Sequence, residues 1–350
     1  MIIRIINAIN LHNGGGKTYL YLLHSYLEKN ENLLILDYRF KKNHIHFKKA
    51  KVIFIKKGLF RNLKILIIRY FFYLRYCSAN KINNTNSKKF VEIYLNGIPP
   101  FIRFRNSQIY LFIQNRLLFE NLIPLTKNFN FLKLKLYLLL QKYLQNMFLR
   151  DTDLIIVQTN SMFKLVSKFH RNKIIFQEKI WGKFNLRIFD YLKRNLNKPD
   201  QNIINNIKDI SSNNIMFFFP ASFYQHKNHL KLIEAFNLLC KKSSLSIKLL
   251  LTLDSNELKN INRLVSPDII FLGKLDYHNV INLYDYIDYL VYPSLKESFG
   301  LPLIEASVNN VKVIASDLDY VYEVCDPFLT FDPLDVEDIF LKLDFAINHK

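Results

Sequence analysis

At 350 residues the chain has room for two domains of ordinary size, each burying its own core. Half of the residues are apolar, which marks globular material, yet no apolar run reaches the roughly 18 to 20 residues of a membrane-crossing helix, because Lys or Arg breaks the longest candidates. The net charge of +20 is unevenly held: residues 1–205 carry 36 Lys and Arg against 10 Asp and Glu, a net of +26, and residues 206–350 carry 13 against 19, a net of −6.

The chain opens on an apolar stretch that reads as a strand over 2–9, followed by "NLHNGGGKT", Asn10 to Thr18, and a helical pattern over 17–29. Strand, glycine turn and helix together make an anion site, since the unpaired N–H groups and the positive end of the helix dipole face the loop. Two phosphate-loop patterns fit it poorly. A Walker A loop needs glycine at position 11, which is Leu11; the dinucleotide fingerprint accepts Gly14 and Gly16 but meets Tyr19 at its third glycine, although Asp37 stands near the expected acid. An anion loop and a plain turn both remain open for Gly14, Gly15 and Gly16.

Further strands are predicted at 32–37, 51–55, 91–95, 108–113, 153–158 and 173–177, with helices near 61–76, 131–149 and 160–169. The Asn-rich stretch before residue 215 reads as a linker. Beyond it, "IMFFFPA", "IKLLLTL", "IIFLG", "YLVYPS", "VKVIAS" and "FLTF" are strand-length runs separated by amphipathic helical stretches. Such alternation predicts an α/β fold of two doubly wound, Rossmann-like domains facing across a cleft. The expected division is an N-terminal domain over 1–198, a linker over 199–214 and a C-terminal domain over 215–350.

The most specific segment is Tyr292 to Ser316, "YPSLKESFGLPLIEASVNNVKVIAS". A strand ends at Tyr292, a loop carries Glu297 and Gly300, and a helix starts near Pro302, which places Glu305 in its first turn. A diphosphate at that helix start would have one carboxylate on either side, the pattern needed to grip the hydroxyls and phosphates of a nucleotide-sugar.

Here the sequence resembles the family 4 glycosyltransferases, retaining enzymes of the GT-B fold. Their two glutamates, eight residues apart, match Glu297 and Glu305, and the surrounding pattern matches Pro293 through Ala306. A second patch, "FPASFYQHKNHLKLIEAF", resembles the family's strand, loop and helix whose lysine, here Lys227, meets the donor diphosphate; the opening glycine loop looks like a third. The resemblance implies transfer of a sugar from a nucleoside diphosphate sugar to a hydroxyl, without metal or other cofactor. Glu297 would orient the sugar, Glu305 would hold the ribose, and Lys227 would face the diphosphate. Gly14, Gly15, Gly16, Ser222, Ser298, Phe299, Gly300 and Leu301 would complete the donor site.

The chain departs from the family at three places. Ser222 stands where many members carry Arg, Asn310-Val-Lys312 replaces a Gly-x-Pro turn, and Gln114, Asn115 and Arg116 occupy the region where relatives place a His. No acceptor-side catalytic residue can therefore be transferred. A non-catalytic nucleotide- or carbohydrate-binding relative remains an alternative, with a P-loop or NAD-dependent enzyme behind it. The His226 and His229 pair, Asp151-Thr-Asp153 and Asp317-Leu-Asp319 resemble metal motifs, but lone pairs of this kind are weak signals.

The basic half points to a polyanionic surface. It carries no helix-turn-helix, RRM or zinc-finger signature, so nucleic acid is set aside in favour of an anionic membrane, supported by the mixture of Arg, Lys and aromatic residues over 60–76. Three distant cysteines, Cys77, Cys240 and Cys325, and an opening stretch unlike a secretory signal read as a reduced cytoplasmic protein. A glycan or lipid-linked acceptor and a place at the inner face of the plasma membrane follow as expectations, with bacterial cell-surface polysaccharide synthesis as the setting implied by the resemblance.

Overall fold

The computed structural model describes residues 3–9, 11, 20, 32–42, 50–58, 60–79, 90–95, 97–104, 107–120, 136, 139–143, 147, 149, 152–170, 174–176, 199–253, 257 and 265–349. The chain divides into two compact units, Met1–Glu178 and Lys179–Lys350.

The N-terminal unit holds a seven-stranded parallel sheet: β1 Ile3–Ala8, β2 Asn32–Asp37, β3 Ala50–Ile55, β4 Phe90–Tyr94, β5 Ser107–Phe112, β6 Leu154–Val157 and β7 Ile174–Phe176, in the order β3-β2-β1-β4-β5-β6-β7. All seven lie where the apolar runs placed them. Parallel strands covered on both faces need continuous rather than alternating apolar sequence, and Leu33 to Leu36, each at most 1% exposed, is such a run. Helix α1 spans Arg61–Ala79 and α2 spans Asn160–Ser167, the latter started by Thr159, whose Oγ1 accepts from the Met162 amide at 3.3 Å.

Register fixes the side on which these helices lie. Ile5 pairs with Leu33 and with Glu92, Glu92 with Ile109, and Leu111 with Ile155, so all six residues share one face. Ile65 of α1 packs there with Ile5, Leu33 and Ile35, and Arg69 of α1 reaches Glu92. On the same face Met162 and Val166 of α2, with Leu149, cover Ile109, Leu111 and Ile155. Helix α1, helix α2 and the end of the 131–149 stretch thus form one layer. The glycine loop and most of the predicted helix over 17–29, of which residue 20 is helical, lie outside the described residues, as does most of 131–149, of which residues 136, 139–143 and 147 are helical.

The C-terminal unit holds six parallel strands: β8 Ile215–Phe219, β9 Ile247–Leu251, β10 Ile269–Phe271, β11 Tyr289–Tyr292, β12 Lys312–Ser316 and β13 Leu329–Phe331, in the order β10-β9-β8-β11-β12-β13. Helices α3 Gln201–Ser211, α4 His229–Lys242, α5 Tyr277–Leu283, α6 Leu301–Val308, α7 Asp319–Tyr322 and α8 Val336–Asn348 connect and cover them. Two parallel, doubly wound units establish the α/β, Rossmann-like architecture. Helix α3 lies within the stretch whose composition reads as a linker: Asp200 caps it through the Asn202 amide, and Ile204 and Ile207 enter the C-terminal core. The isoleucines at 203, 204, 207 and 210 have helical spacing, and their burial outweighs the turn preference of the intervening Asn residues.

Strand order reverses between β8 and β11, since β9 and β10 are added on one side and β12 and β13 on the other. Ligands of open α/β sheets bind outside the carboxyl ends of the strands at such a switch point. In this unit those ends lead into Ala221–Lys227 and Ser294–Gly300.

Candidate functional site

After β8 the chain turns through Pro220 and Ala221 to a single 3-10 turn, Gln225–Lys227, and enters α4 through Asn228. Asn228 has φ 61 and ψ 33, a left-handed conformation that asparagine tolerates, and its Nδ2 donates to the Pro333 carbonyl at 2.7 Å. His229 follows, buried against Phe219 and Phe223, its Nε2 donating to the Ala221 carbonyl at 3.2 Å. Burial pushes its pKa down to about 3, so the ring is neutral and holds the loop closed. Burial likewise lowers neighbouring His226 to about 4. Among the described residues no three His, Cys, Asp or Glu side chains gather into a group that could hold a metal ion.

The second loop meets the first directly: the Leu295 amide donates to the His226 carbonyl at 2.7 Å. That contact brings together Lys227 and Glu297, seventy residues apart, as an ion pair between Nζ and Oε1. Tyr292, the last residue of β11, donates its hydroxyl to the same carboxylate oxygen at 2.9 Å, and its ring lies 5.5 Å from Nζ. Burial alone would push Glu297 up, but the charge of Lys227 and the hydrogen bonds from Lys227 and Tyr292 outweigh it, and the carboxyl ends below its ordinary value. Glu297 is therefore an ionised carboxylate with its cation in place.

Gly300 caps α6 with φ 75 and ψ 57, and its carbonyl accepts from Leu303 at 2.9 Å. A Cβ at this position would stand 3.0 Å from Leu303 Cδ1 and 3.6 Å from Tyr292 Cε1. The backbone angle therefore favours glycine, and a Cβ would also press on the Leu303 side chain. Gly300→Ala is expected to destabilise the fold by about 1 to 2 kcal/mol, the cost of the left-handed conformation for an L residue, read as a lower midpoint of urea unfolding by circular dichroism.

Helix α6 begins at Leu301 with Pro302 at its second position, so Glu305 is its fifth residue. The expected place in the first turn is corrected by a full step inward, and no acid lies in that turn to offset the dipole. Glu305 is instead 3% exposed and accepts from the Tyr284 hydroxyl at 3.1 Å. Burial, partly opposed by that bond, pushes its pKa up to about 7. The two carboxyls consequently differ: Glu297 is charged and paired, while Glu305 can hold or lose a proton near neutrality.

Of the remaining predicted residues, Ser222 is exposed, Ser298 and Leu301 are half-buried and Phe299 is buried. Gly14, Gly15 and Gly16 lie outside the described residues. The sequence reading missed Tyr292 and Tyr284 as partners of the two glutamates. Their signal was available, because a tyrosine inside a buried strand or turn must place its hydroxyl on an acceptor. A cation, an ionised carboxylate and the start of helix α6, all at one switch point, make a site suited to a phosphorylated polyhydroxyl ligand.

Residues 200–349 match the family of glycosyl transferases group 1. The O-antigen chain mannosyltransferase RfbU of Salmonella typhimurium is 41% identical over 56 residues, which span 16% of this chain and 16% of that relative's length. Among solved structures, HepE of Anabaena in complex with UDP and glucose aligns over 99% of this chain and 90% of its own, with a TM-score of 0.63 at 15% identity. A glycosyltransferase from Rickettsia africae aligns over 99% and 88%, with a TM-score of 0.63 at 16% identity. Residues 200–349 thus carry the glycosyl transferase group 1 match, within a chain that has the GT-B fold of two Rossmann-like units.

Proposed function

We propose that the chain is a retaining, metal-independent glycosyltransferase of family 4. It moves a sugar from a nucleoside diphosphate sugar to a hydroxyl of a glycan or lipid-linked acceptor. The observation that carries this reading is the Lys227–Glu297–Tyr292 cluster beside the Gly300 helix start, inside the segment that matches group 1. The HepE structure, determined with UDP and glucose, supports a nucleotide-sugar as donor.

In this mechanism the bond between the anomeric carbon and the diphosphate oxygen breaks as the acceptor oxygen bonds the same face of the sugar. The acceptor's proton passes to the departing phosphate. Charge developing on the diphosphate is met by Lys227 and the amides of Gly300 and Leu301 at the start of α6, which are placed before the reaction and need little reorganisation. Glu297 accepts hydrogen bonds from the donor sugar, and Glu305 accepts from the ribose. The N-terminal unit supplies the acceptor side at the cytoplasmic face of the membrane. Synthesis of bacterial lipopolysaccharide O-antigen or capsule is the setting, a reading supported by the stretch shared with RfbU.

The test is incubation with UDP-, GDP- and ADP-hexoses and an extract of membrane glycolipids, with the anomeric proton of the product read by NMR. Transfer with the donor's configuration retained agrees with the proposal; an inverted product contradicts retention. Donor binding without turnover would make the chain a non-catalytic relative.

A further inference from the structure

The helical layer of the N-terminal unit turns large apolar side chains away from its sheet. Phe60, Leu63, Ile67, Tyr70, Phe71 and Leu74 are 41% to 65% exposed. At 100° per residue they fall within an arc of about 100° on α1, opposite Ile65 and Arg69, which face the sheet. Leu136, Leu139, Leu140, Tyr143 and Met147 are 50% to 69% exposed and have the same three- and four-residue spacing. That stretch joins the layer through Leu149, packed with α2, and through Lys142, whose Nζ lies 4.8 Å from the Phe169 ring just beyond α2.

A helix on the surface of a soluble domain normally shows water its polar side, so a repeated apolar stripe marks an interaction surface. Charge identifies the partner. Among the described residues of 60–79 and 131–149, Arg61, Lys64, Arg75 and Lys142 are exposed or half-buried cations, Arg69 is turned inward to Glu92, and there is no Asp or Glu. Exposed Lys64 and Arg75 border the α1 stripe. A second copy of the chain would set this acid-free cationic surface against itself, and like charges across an interface oppose association.

We propose that the two stripes together seat the chain on an anionic phospholipid bilayer. The apolar side chains enter the boundary between headgroups and acyl chains, while Lys and Arg meet the lipid phosphates. Among the described residues no helix is long and apolar enough to cross a membrane, so α1 lies in the plane of the interface. The purpose of this surface rests on the lipid-linked acceptor proposed above; its geometry does not.

Co-sedimentation of the full chain with vesicles of phosphatidylcholine alone, and of phosphatidylcholine mixed with phosphatidylglycerol, tests the proposal. Binding is expected to be about tenfold or more stronger on the anionic vesicles and to weaken as salt screens the charges. The triple variant Leu63→Ser/Ile67→Ser/Phe71→Ser should lose that binding while keeping the wild-type unfolding midpoint, since all three side chains are exposed. Equal binding to both vesicles, or undiminished binding by the triple variant, overturns the proposal. So does a dimer that the triple variant disperses in the absence of vesicle binding, which would give the surface to a second copy. Vesicle binding by a chain that transfers no sugar would count against the donor reading alone and leave the surface standing.

Discussion

Lys227→Ala is expected to lower kcat by about 10²- to 10³-fold, the usual cost of removing one preorganised group that stabilises transition-state charge. Two losses combine. The departing diphosphate loses its cation, and Glu297, half-buried beside the Tyr292 hydroxyl, loses the charge that keeps it ionised. In the wild type the lowered carboxyl stays charged through the neutral range. In the variant burial is left to act, so residual activity should fall with decreasing pH at a higher pH than in the wild type. Steady-state kinetics with donor varied across pH checks both effects. Lys227→Arg should restore little, because a planar guanidinium cannot occupy the place of a compact ammonium bonded to Glu297. A variant with wild-type kcat would remove Lys227 from the reaction.

The largest expected effect on stability lies in the other unit. Arg69 is 2% exposed and Glu92 fully buried. Their fork is bidentate, with Nε to Oε2 at 2.7 Å and a terminal nitrogen to Oε1 at 3.1 Å. The same nitrogen donates to the Ile102 carbonyl at 3.0 Å, and the Tyr94 hydroxyl donates to Glu92 at 2.9 Å. The guanidinium also covers the Phe104 ring at 4.6 Å. Removing one partner leaves an uncompensated charge, so Arg69→Met should cost about 3 to 5 kcal/mol. The double variant Arg69→Met/Glu92→Leu should recover most of that loss, since an apolar pair of similar volume avoids desolvating two charges. Urea unfolding of the single and double variants measures both values. A single variant as stable as wild type would contradict the buried pairing.

Much of this architecture is legible in the sequence because parallel strands buried on both faces leave contiguous apolar runs, and thirteen such runs became strands. Glu297, Gly300, Pro302 and Glu305 were legible as a group because a loop between strand and helix restricts residue types at fixed offsets. Other features depend on conformation that composition does not encode. The start of α6 was displaced because Pro302 fits either of its first two positions, and only the left-handed Gly300 settles it. The pairing of Arg69 with Glu92 was hidden because α1 reads as uniformly basic and interfacial, whereas Arg69 projects to the side opposite the exposed stripe. Helix α3 was obscured because asparagine, a turn former, separates the isoleucines that bury it.

In the proposed mechanism the C-terminal unit holds a nucleoside diphosphate between Lys227, the start of α6 and Glu305. Thermal unfolding with UDP, GDP, ADP, ATP and NAD added separately tests it most directly, because a ligand at 100 times its dissociation constant stabilises the fold by about 2.7 kcal/mol. The midpoint is expected to rise with one of the three diphosphates and to rise less in Glu305→Ala. Stabilisation by ATP or NAD alone would contradict it.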